Sequence, residues 1–428
     1  MKEIKKEKTF NWGVATSSYQ IEGAHDIDGR GPSVWDVFSH TKGKVKNGDT
    51  GDIACDHYNK FSDDIKLMKD LGVDSYRFSV SWPRIFPVGT EQKINQKGMD
   101  FYDRLVDKLL ENDITPFLTL NHWDMPQGLE DLGGWTNRET IEHFVKYGHY
   151  MSRYLGDRVI NWITHNEPWC ISFLGYVEGR KPPGLKNEWA KSLHTAHHLL
   201  LSHGKVIPEI KSNVKNSKVG ITLNLNTAIP ASDSEHDKKA CDFYDAQFNR
   251  LYLEPLYNQK YPELLFECLL QKNLIKQTDL TFIKNDDLKT IATKTDFLGV
   301  NYYSRGVIRS DEVDEEINDK PNVDLGPKTD FGWEVYPQGI YDLLKKLHVD
   351  YNVQDIIVTE NGCSYSDGPN ENKKINDTKR IEYHKSHVEQ IQIAINDGIP
   401  CTGYFAWSLM DNFEWAEGYS QRFGLIWV

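Results

Sequence analysis

Residues 75–80 read SYRFSV, a short apolar and aromatic run that is followed by a stretch with helical periodicity. Seven further runs of this kind recur along the chain, each followed by a longer helix-like stretch. The eight runs occupy residues 12–17, 75–80, 115–120, 159–164, 219–223, 297–301, 356–359 and 403–407. The helix-like stretches include residues 61–71, 98–111, 138–155, 193–213 and 379–397. This alternation predicts an α/β fold, a closed (β/α)8 barrel that forms one domain over residues 1–428.

A doubly wound sheet is the alternative fold with the same alternation. No Gly-rich phosphate-binding motif follows the first run, so a dinucleotide-binding version of that fold has no support. Two polar stretches are the best candidates for loop insertions, namely residues 311–327, with Asp330 at the far edge, and residues 364–377. We expect the first, which is acidic and long, to help form a rim or lid.

The composition excludes several functional classes. The 428 residues include 50 Lys and Arg against 63 Asp and Glu, a formal net charge of −13, and such an acidic surface repels nucleic acid. No run of about 18 apolar residues occurs, and the charged first eight residues do not resemble a signal peptide. We therefore expect a cytoplasmic protein without nucleic-acid or membrane partners. The six cysteines contain no C-x-x-C pair, which argues against a zinc ribbon and a disulfide scaffold.

Polar and aromatic residues close nearly every predicted strand. They are Gln20 and Glu22; Arg77; His122, Trp123 and Asp124; Asn166 and Glu167; Asn224 and Asn226; Asn301 and Tyr303; Glu360 and Asn361; and Trp407, Glu414 and Trp415. In a barrel of this kind the carboxyl ends of the strands carry the reactive groups. These residues therefore predict a deep, hydrogen-bonding pocket with aromatic walls.

Two carboxylates, Glu167 and Glu360, follow the fourth and seventh predicted strands. Paired carboxylates suit glycosidic bond cleavage, because one can protonate the leaving oxygen while the other attacks or stabilises the sugar carbon. This chemistry requires no metal and no cofactor. Each residue alone has a plainer interpretation, since a glutamate at a strand end is most often solvated and a tryptophan most often belongs to the core.

Seven short motifs occur in a fixed order along most of the chain. They are SYQIEGA at 18–24, YRFSVSWPR at 76–84, LNHWDMP at 120–126, NEPWC at 166–170, GVNYY at 299–303, TENG at 359–362 and WSLMDNFEW at 407–415. Through these motifs the chain resembles the family 1 glycoside hydrolases, the β-glucosidase family, over residues 10–428. NEP or TENG alone would be a weak signal, but the ordered set is specific.

The resemblance implies a retaining double displacement, with Glu167 as the general acid/base and Glu360 as the nucleophile at a carboxyl separation of about 5 Å. It implies that Arg77 and Tyr303 hold Glu360 ionised, that Glu167 starts protonated, and that Asn301 belongs to the same catalytic group. The substrate-binding residues that it implies are Gln20, His122, Trp123, Asn166, Trp333, Trp407, Glu414 and Trp415. Among them Asn166 would hold the sugar 2-hydroxyl, Trp407 would stack on the ring, and Trp333 would contact the leaving group.

Residue type separates this chain from some relatives. Relatives that act on 6-phosphorylated sugars have a Ser and a Lys near the positions of Glu414 and Trp415, so we expect a neutral sugar. Plant thioglucosidases have Gln in place of Glu167, so O-glycosides are expected. The KPPG sequence at 181–184 departs from the family, which more often has His or Ala before the Pro, and this could alter the entrance. The family's final strand and helix have no counterpart after Val428, so we expect either a less stable barrel that lacks its C-terminal helix or a sequence that omits its tail.

The sequence thus predicts an enzyme that hydrolyses O-linked β-D-glucosides with retention. β-Galactosides and β-fucosides are expected substrates as well, because Glu414 can accept hydrogen bonds from both O4 and O6. The expected partners are β-glucosides and short β-linked oligosaccharides such as cellobiose, and the chain is expected to be a monomer or a homo-oligomer. A non-catalytic sugar-binding or scaffold protein and an enzyme that mainly transglycosylates stay open as alternatives.

Overall fold

Eight parallel strands close into a barrel in the computed structural model, which describes residues 10–310, 323 and 325–428. The strands are Asn11–Ala15, Ser75–Ser79, Thr115–Asn121, Asn161–Asn166, Lys218–Asn224, Phe297–Asn301, Ile356–Asn361 and Cys401–Trp407. They follow one another around the barrel in chain order, and the first pairs with the last. The predicted barrel and all eight predicted strands are therefore confirmed.

Apolar side chains fill the inside of the barrel below the strand ends. The seventh strand shows the pattern, because Ile356 to Asn361 are all buried and the polar residues come last. The interior cluster comprises Ala15, Phe117, Ile163, Phe297, Ile357, Phe405, Trp407 and Phe423. A strand that is buried on both faces reads as a continuous apolar run, which is why the sequence shows these strands clearly. The polar strand ends are thereby directed toward one end of the barrel.

The α-helices cover the outside of the barrel and fill the loops. They are Ser18–Ile21, Val34–His40, His57–Leu71, Trp82–Ile85, Gln96–Glu111, Gln127–Glu130, Glu139–Leu155, Pro168–Phe173, Trp189–Asn213, Glu235–Asp245, Leu251–Asn258, Glu263–Gln271, Asp287–Ile291, Gln338–Tyr351 and Thr378–Asn396. The five predicted helices are all present, and residues 408–428 contain no α-helix. Among the described residues, no helix combines the length and the apolar character needed to cross a bilayer.

The loops also hold a parallel pair of short strands at Ala228–Pro230 and Gly306–Ile308, which was not predicted. Residues 364–377 contain no helix or strand, as expected for an insertion. The predicted acidic insertion at 311–327 lies mostly outside the described residues, but Asp330 at its edge accepts hydrogen bonds from the backbone N–H and hydroxyl of Ser366 at 2.8 and 2.6 Å. The assignment of residues 1–428 to one domain stays a prediction.

Candidate active site

Glu360 is the second-to-last residue of the seventh strand and is 3 % exposed. Arg77 Nη1 donates to its Oε1 at 2.6 Å, and the Tyr303 hydroxyl donates to its Oε2 at 2.7 Å. Burial raises the pKa of Glu360 to about 7; the Arg77 charge and the two hydrogen bonds oppose this rise, whereas the nearby Glu167 adds to it. The predicted contacts of Arg77 and Tyr303 with Glu360 are therefore present.

Glu167 follows the fourth strand and is 6 % exposed. Its Oε1 accepts a hydrogen bond from Asn301 Nδ2 at 2.6 Å, and its Oε2 accepts one from the Cys170 thiol at 3.0 Å. Pro168 begins the next helix, and Glu167 adopts a left-handed backbone with φ +47° at this junction. In contrast to Glu360, Glu167 makes no contact with a cation within ion-pair distance in the described chain.

A chain of hydrogen bonds connects the two carboxyl groups. Asn166 Oδ1 accepts from Arg77 Nη2 at 2.6 Å and from Asn301 Nδ2 at 3.1 Å. Because Arg77 also contacts Glu360 and Asn301 also contacts Glu167, both glutamates belong to one buried network. The structure thus brings all five predicted catalytic residues into a common site with Asn166, and the retaining separation of about 5 Å stays a prediction.

Aromatic rings extend from this network as a continuous wall. The His122 ring is 5.8 Å from Trp407 and 6.0 Å from Trp415, and Trp123 is 4.4 Å from Trp415, between ring centroids. The wall is joined to the catalytic network through Asn166, whose Nδ2 is 3.0 Å from His122 Nε2 and whose carbonyl accepts from Trp123 Nε1 at 2.9 Å. Burial, helped by the Arg77 charge, holds the pKa of His122 well below its usual range, so that this ring is neutral.

Gln20 and Glu414 lie side by side on the same wall. Gln20 Nε2 donates to the Phe413 carbonyl at 2.9 Å and to Asn412 Oδ1 at 3.0 Å, and it is 3.4 Å from Glu414 Oε2. Burial raises the pKa of Glu414 to about 8, and the Lys181 charge opposes this rise. Because Gln20 is the only hydrogen-bond partner of Glu414 carboxylate oxygens in the described residues, this carboxylate has lone pairs available for a ligand.

Trp333 stands at the mouth of the site. Its ring centroid is 5.1 Å from that of Tyr303, the residue that binds Glu360, and 4.3 Å from that of Phe331. It is half-buried, which leaves part of the indole available to a ligand. Its predicted contact with the leaving group stays a prediction.

Three site residues have left-handed backbones although none is glycine. Trp123, Glu167 and Trp415 have φ values of +76°, +47° and +51°. Non-glycine residues in this region cost about 1 kcal/mol or more each and tend to cluster at functional sites. The fold therefore holds these three side chains in orientations that an unstrained loop would not supply.

The sequence analysis placed more polar residues at the strand ends than the site contains. Glu22 is engaged by Arg84 at 3.0 Å, and Asp124 accepts a hydrogen bond from Ser18 at 2.7 Å, so both carboxylates belong to buried structural contacts next to the pocket. No group of three or more His, Cys, Asp or Glu side chains in the described part of the chain is arranged to hold a metal ion.

The sequence model of Glycosyl hydrolase family 1 matches residues 3–428. The chain belongs to this family. Family 1 relatives include the 1,4-beta-D-glucan glucohydrolase of Thermotoga neapolitana, 46% identical over 421 residues, which are 98% of this chain and 96% of the relative. A bifunctional beta-D-glucosidase/beta-D-fucosidase of Bifidobacterium breve is 41% identical over 98% of this chain and 93% of its own length.

Among solved structures, the family 1 β-glucosidase from Thermotoga maritima in complex with isofagomine lactam superposes with a TM-score of 0.91 at 45% identity, covering 98% of this chain and 93% of that chain. The family 1 resemblance and the barrel expected from it are confirmed.

Three contacts of this family 1 site were missed as functional. Cys170 binds Glu167, Thr359 Oγ1 donates to Asn301 Oδ1 at 2.8 Å, and Lys181 approaches the aromatic wall. Cys170 and Thr359 stand inside the NEPWC and TENG motifs, which offered a signal. Lys181 was visible only as a departure from the family.

Proposed function

We propose that Glu167 and Glu360 hydrolyse O-linked β-D-glucosides in this chain, as acid/base and nucleophile respectively. Family 1 membership makes the chain a retaining β-glycosidase, and its relatives are β-glucosidases. The observation that supports the two roles is the asymmetry of the carboxyl environments. Glu360 contacts a guanidinium and a phenol, whereas Glu167 contacts an amide and a thiol.

This asymmetry indicates which of the two carboxyl groups is better suited to carry the negative charge. A cation within hydrogen-bond distance stabilises the ionised form of an acid. Arg77 therefore favours the negative charge on Glu360, and the acid role that we propose for Glu167 requires Glu167 to carry the proton before the first step. Glu360 is then the nucleophile and Glu167 the acid, as the resemblance implied.

In the first step Glu360 forms a bond to the anomeric carbon while the bond from that carbon to the glycosidic oxygen breaks. The proton of Glu167 moves to the departing oxygen, which leaves as an alcohol. The products are a glycosyl ester of Glu360 and an ionised Glu167. Arg77 loses its anionic partner in this step, and Asn166 stays bonded to it through Oδ1.

In the second step Glu167 takes a proton from water, and the water oxygen bonds to the anomeric carbon as the ester bond to Glu360 breaks. Glu360 recovers its charge and its contacts with Arg77 and Tyr303. Two inversions at one carbon give net retention.

The substrate proposal is a neutral β-glucoside, with β-fucosides, β-galactosides and short oligosaccharides such as cellobiose also accepted. Gln20, Glu414 and His122 offer hydrogen bonds to sugar hydroxyls, with Trp407 as a stacking surface and Trp333 on the leaving-group side. A relative with both glucosidase and fucosidase activity supports tolerance at O4 and O6. The cytoplasmic location and the choice between monomer and homo-oligomer stay predictions.

The roles are tested by Glu360→Gly and Glu167→Ala with aryl β-glucosides in the presence of azide. Glu360→Gly should lose more than about 1000-fold in kcat, and azide entering the vacated space should yield the α-glucosyl azide. Glu167→Ala should lose about 100- to 10,000-fold in kcat/KM on substrates with poor leaving groups and much less in kcat/KM on a dinitrophenyl glucoside, and azide should then yield the β-glucosyl azide.

Glu254→Gln is the matched control, because Glu254 is also a buried glutamate but pairs with Arg250 on a peripheral helix. It should keep wild-type turnover. Azide products of the opposite anomeric configuration would exchange the two roles, and near-normal hydrolysis by Glu360→Gly would remove the mechanism. Sugar binding without turnover by the unmodified chain would favour the non-catalytic alternative.

A further inference from the structure

The Tyr303 hydroxyl donates to Glu360, and the position of this donor depends on the loop that carries it. The sixth strand ends at Asn301, two residues before Tyr303. The pairing with the seventh strand continues for one more residue, because the Tyr302 N–H donates to the Glu360 carbonyl at 3.0 Å. Tyr303 follows this last backbone pair, so the backbone that carries the donor lies just outside the barrel sheet.

Tyr383, on the helix Thr378–Asn396, holds the backbone of Tyr303. Its hydroxyl donates to the Tyr303 carbonyl at 3.0 Å. Within residues 10–310, 323 and 325–428, this is the only hydrogen bond that the backbone of Tyr303 makes. Because Tyr383 is buried, water cannot readily take the place of its hydroxyl.

The Tyr383 hydroxyl also contacts the end of the seventh strand. It accepts a hydrogen bond from Asn361 Nδ2 at 3.1 Å, and the same nitrogen donates to the Tyr302 carbonyl at 2.8 Å. A phenol has a single proton to donate, so with Asn361 as its donor the Tyr383 proton is directed to the Tyr303 carbonyl. Since Asn361 follows Glu360 directly, one buried oxygen joins the helix, the Tyr303 loop and the strand of the nucleophile.

We propose that Tyr383 is a positioning residue for the nucleophile, because its hydroxyl fixes the Tyr303 backbone and thereby keeps the Tyr303 hydroxyl directed at Glu360. This inference rests on the proposed function, since it takes Glu360 as the attacking group. Tyr383 acts through Tyr303 and takes no part in the bond-breaking steps.

The test is a double-mutant cycle of Tyr383→Phe and Tyr303→Phe, measured on an aryl β-D-glucoside. Tyr383→Phe keeps the ring and removes the hydroxyl. It should lower kcat about 2- to 10-fold, the factor that corresponds to one neutral hydrogen bond, with little change in KM. In the Tyr303→Phe background the same change should alter kcat by less than about twofold, because the hydroxyl that Tyr383 positions is then absent.

The pH profile supplies a second measurement that a merely structural role would not affect. Burial and the Glu167 charge raise the pKa of Glu360, whereas the Arg77 charge and the Tyr303 hydrogen bond lower it. A misplaced Tyr303 hydroxyl should therefore raise this pKa, and Tyr383→Phe should move the acidic limb of kcat/KM to higher pH. In the Tyr303→Phe background the limb should not move further.

Tyr404→Phe is the matched control. Tyr404 is also buried, and its hydroxyl donates to Asn361 Oδ1 at 2.8 Å and lies 2.8 Å from His384 Nδ1. In the part of the chain that the structure describes, this hydroxyl forms no hydrogen bond with Tyr303. The control should lower the melting temperature about as much as Tyr383→Phe does, and it should leave kcat and the acidic limb unchanged.

Full kcat in Tyr383→Phe, losses that add in the double variant, an acidic limb that stays in place, or an equal loss of kcat in Tyr404→Phe would each overturn the inference while the unmodified chain still hydrolyses the glucoside. If Tyr383→Phe melts early, the whole cycle is measured well below its melting temperature. Failure of the unmodified chain to hydrolyse the glucoside would instead overturn the proposed function.

Discussion

At the residue scale, the charge on Glu360 depends on one buried cation. Arg77 is fully buried, and its two terminal nitrogens are divided between Glu360 and Asn166. A guanidinium at this distance typically lowers the pKa of a carboxyl group by about 1–3 units. Even with this help, burial leaves the pKa of Glu360 raised to about 7.

We predict that Arg77→Met moves the acidic limb of the kcat/KM profile to higher pH by about 1–3 units. The sign follows because Glu360 reacts in its ionised form, and removal of the cation raises its pKa, so that activity is lost earlier as the pH falls. The measurement is kcat/KM for an aryl β-glucoside between pH 4 and 10. An acidic limb that stays in place would show that Arg77 does not set the charge of Glu360.

Arg77→Lys is the companion variant. It keeps the charge but cannot hold Glu360 and Asn166 with one planar group. Its acidic limb should lie close to that of the unmodified chain, while kcat falls because Asn166 loses a partner. Circular dichroism of both variants separates these effects from unfolding.

At the scale of the elements, the ends of the seventh and eighth strands approach closely at Gly362. A Cβ atom added to Gly362 would lie 1.8 Å from the carbonyl oxygen of Trp407. Backbone atoms cannot yield to such a contact as a flexible side chain can. The glycine of the TENG motif is therefore explained by packing against the residue that we propose as the stacking surface.

We predict that Gly362→Ala destabilises the chain by about 1–3 kcal/mol and also raises KM, because the contact is relieved only by moving Trp407. Urea unfolding and kinetics on an aryl β-glucoside give the two quantities. Gly398→Ala serves as the control, since Gly398 has φ +85° with no atom near the added Cβ. It should lose stability without a change in KM, and an unchanged KM for Gly362→Ala would contradict the coupling to Trp407.

At the scale of the whole molecule, the features that follow from local periodicity were predictable and those that depend on pairing across the barrel were not. Most of the eight strands are rich in apolar residues and end in polar ones, so their positions and the location of the site could be inferred. The two-stranded sheet at Ala228–Pro230 and Gly306–Ile308 was missed because three-residue strands carry almost no periodic signal and pair across a long separation.

The site shows the same division. Motifs in the sequence indicated Glu167 and Glu360. The hydrogen bonds that join them through Asn166 and Asn301 could not be predicted, because they depend on the register between parallel strands. The position of Lys181 was harder still to foresee, since its ammonium group lies near rings from three segments that are far apart in the sequence. Contacts of this kind depend on the folded barrel and leave no pattern in the local sequence.

The left-handed backbone at Glu167 is a conformation that glycine adopts more easily than any other residue, and this affects thermal stability. A glycine relieves this conformation at no steric cost, whereas alanine retains it, a difference of about 1 kcal/mol. Glu167→Gly should therefore melt at a higher temperature than Glu167→Ala in differential scanning calorimetry, and the reverse order would refute this. A residue that relieves the backbone strain at this position cannot deliver a proton, so the conformational cost at position 167 accompanies the side chain that the proposed reaction needs.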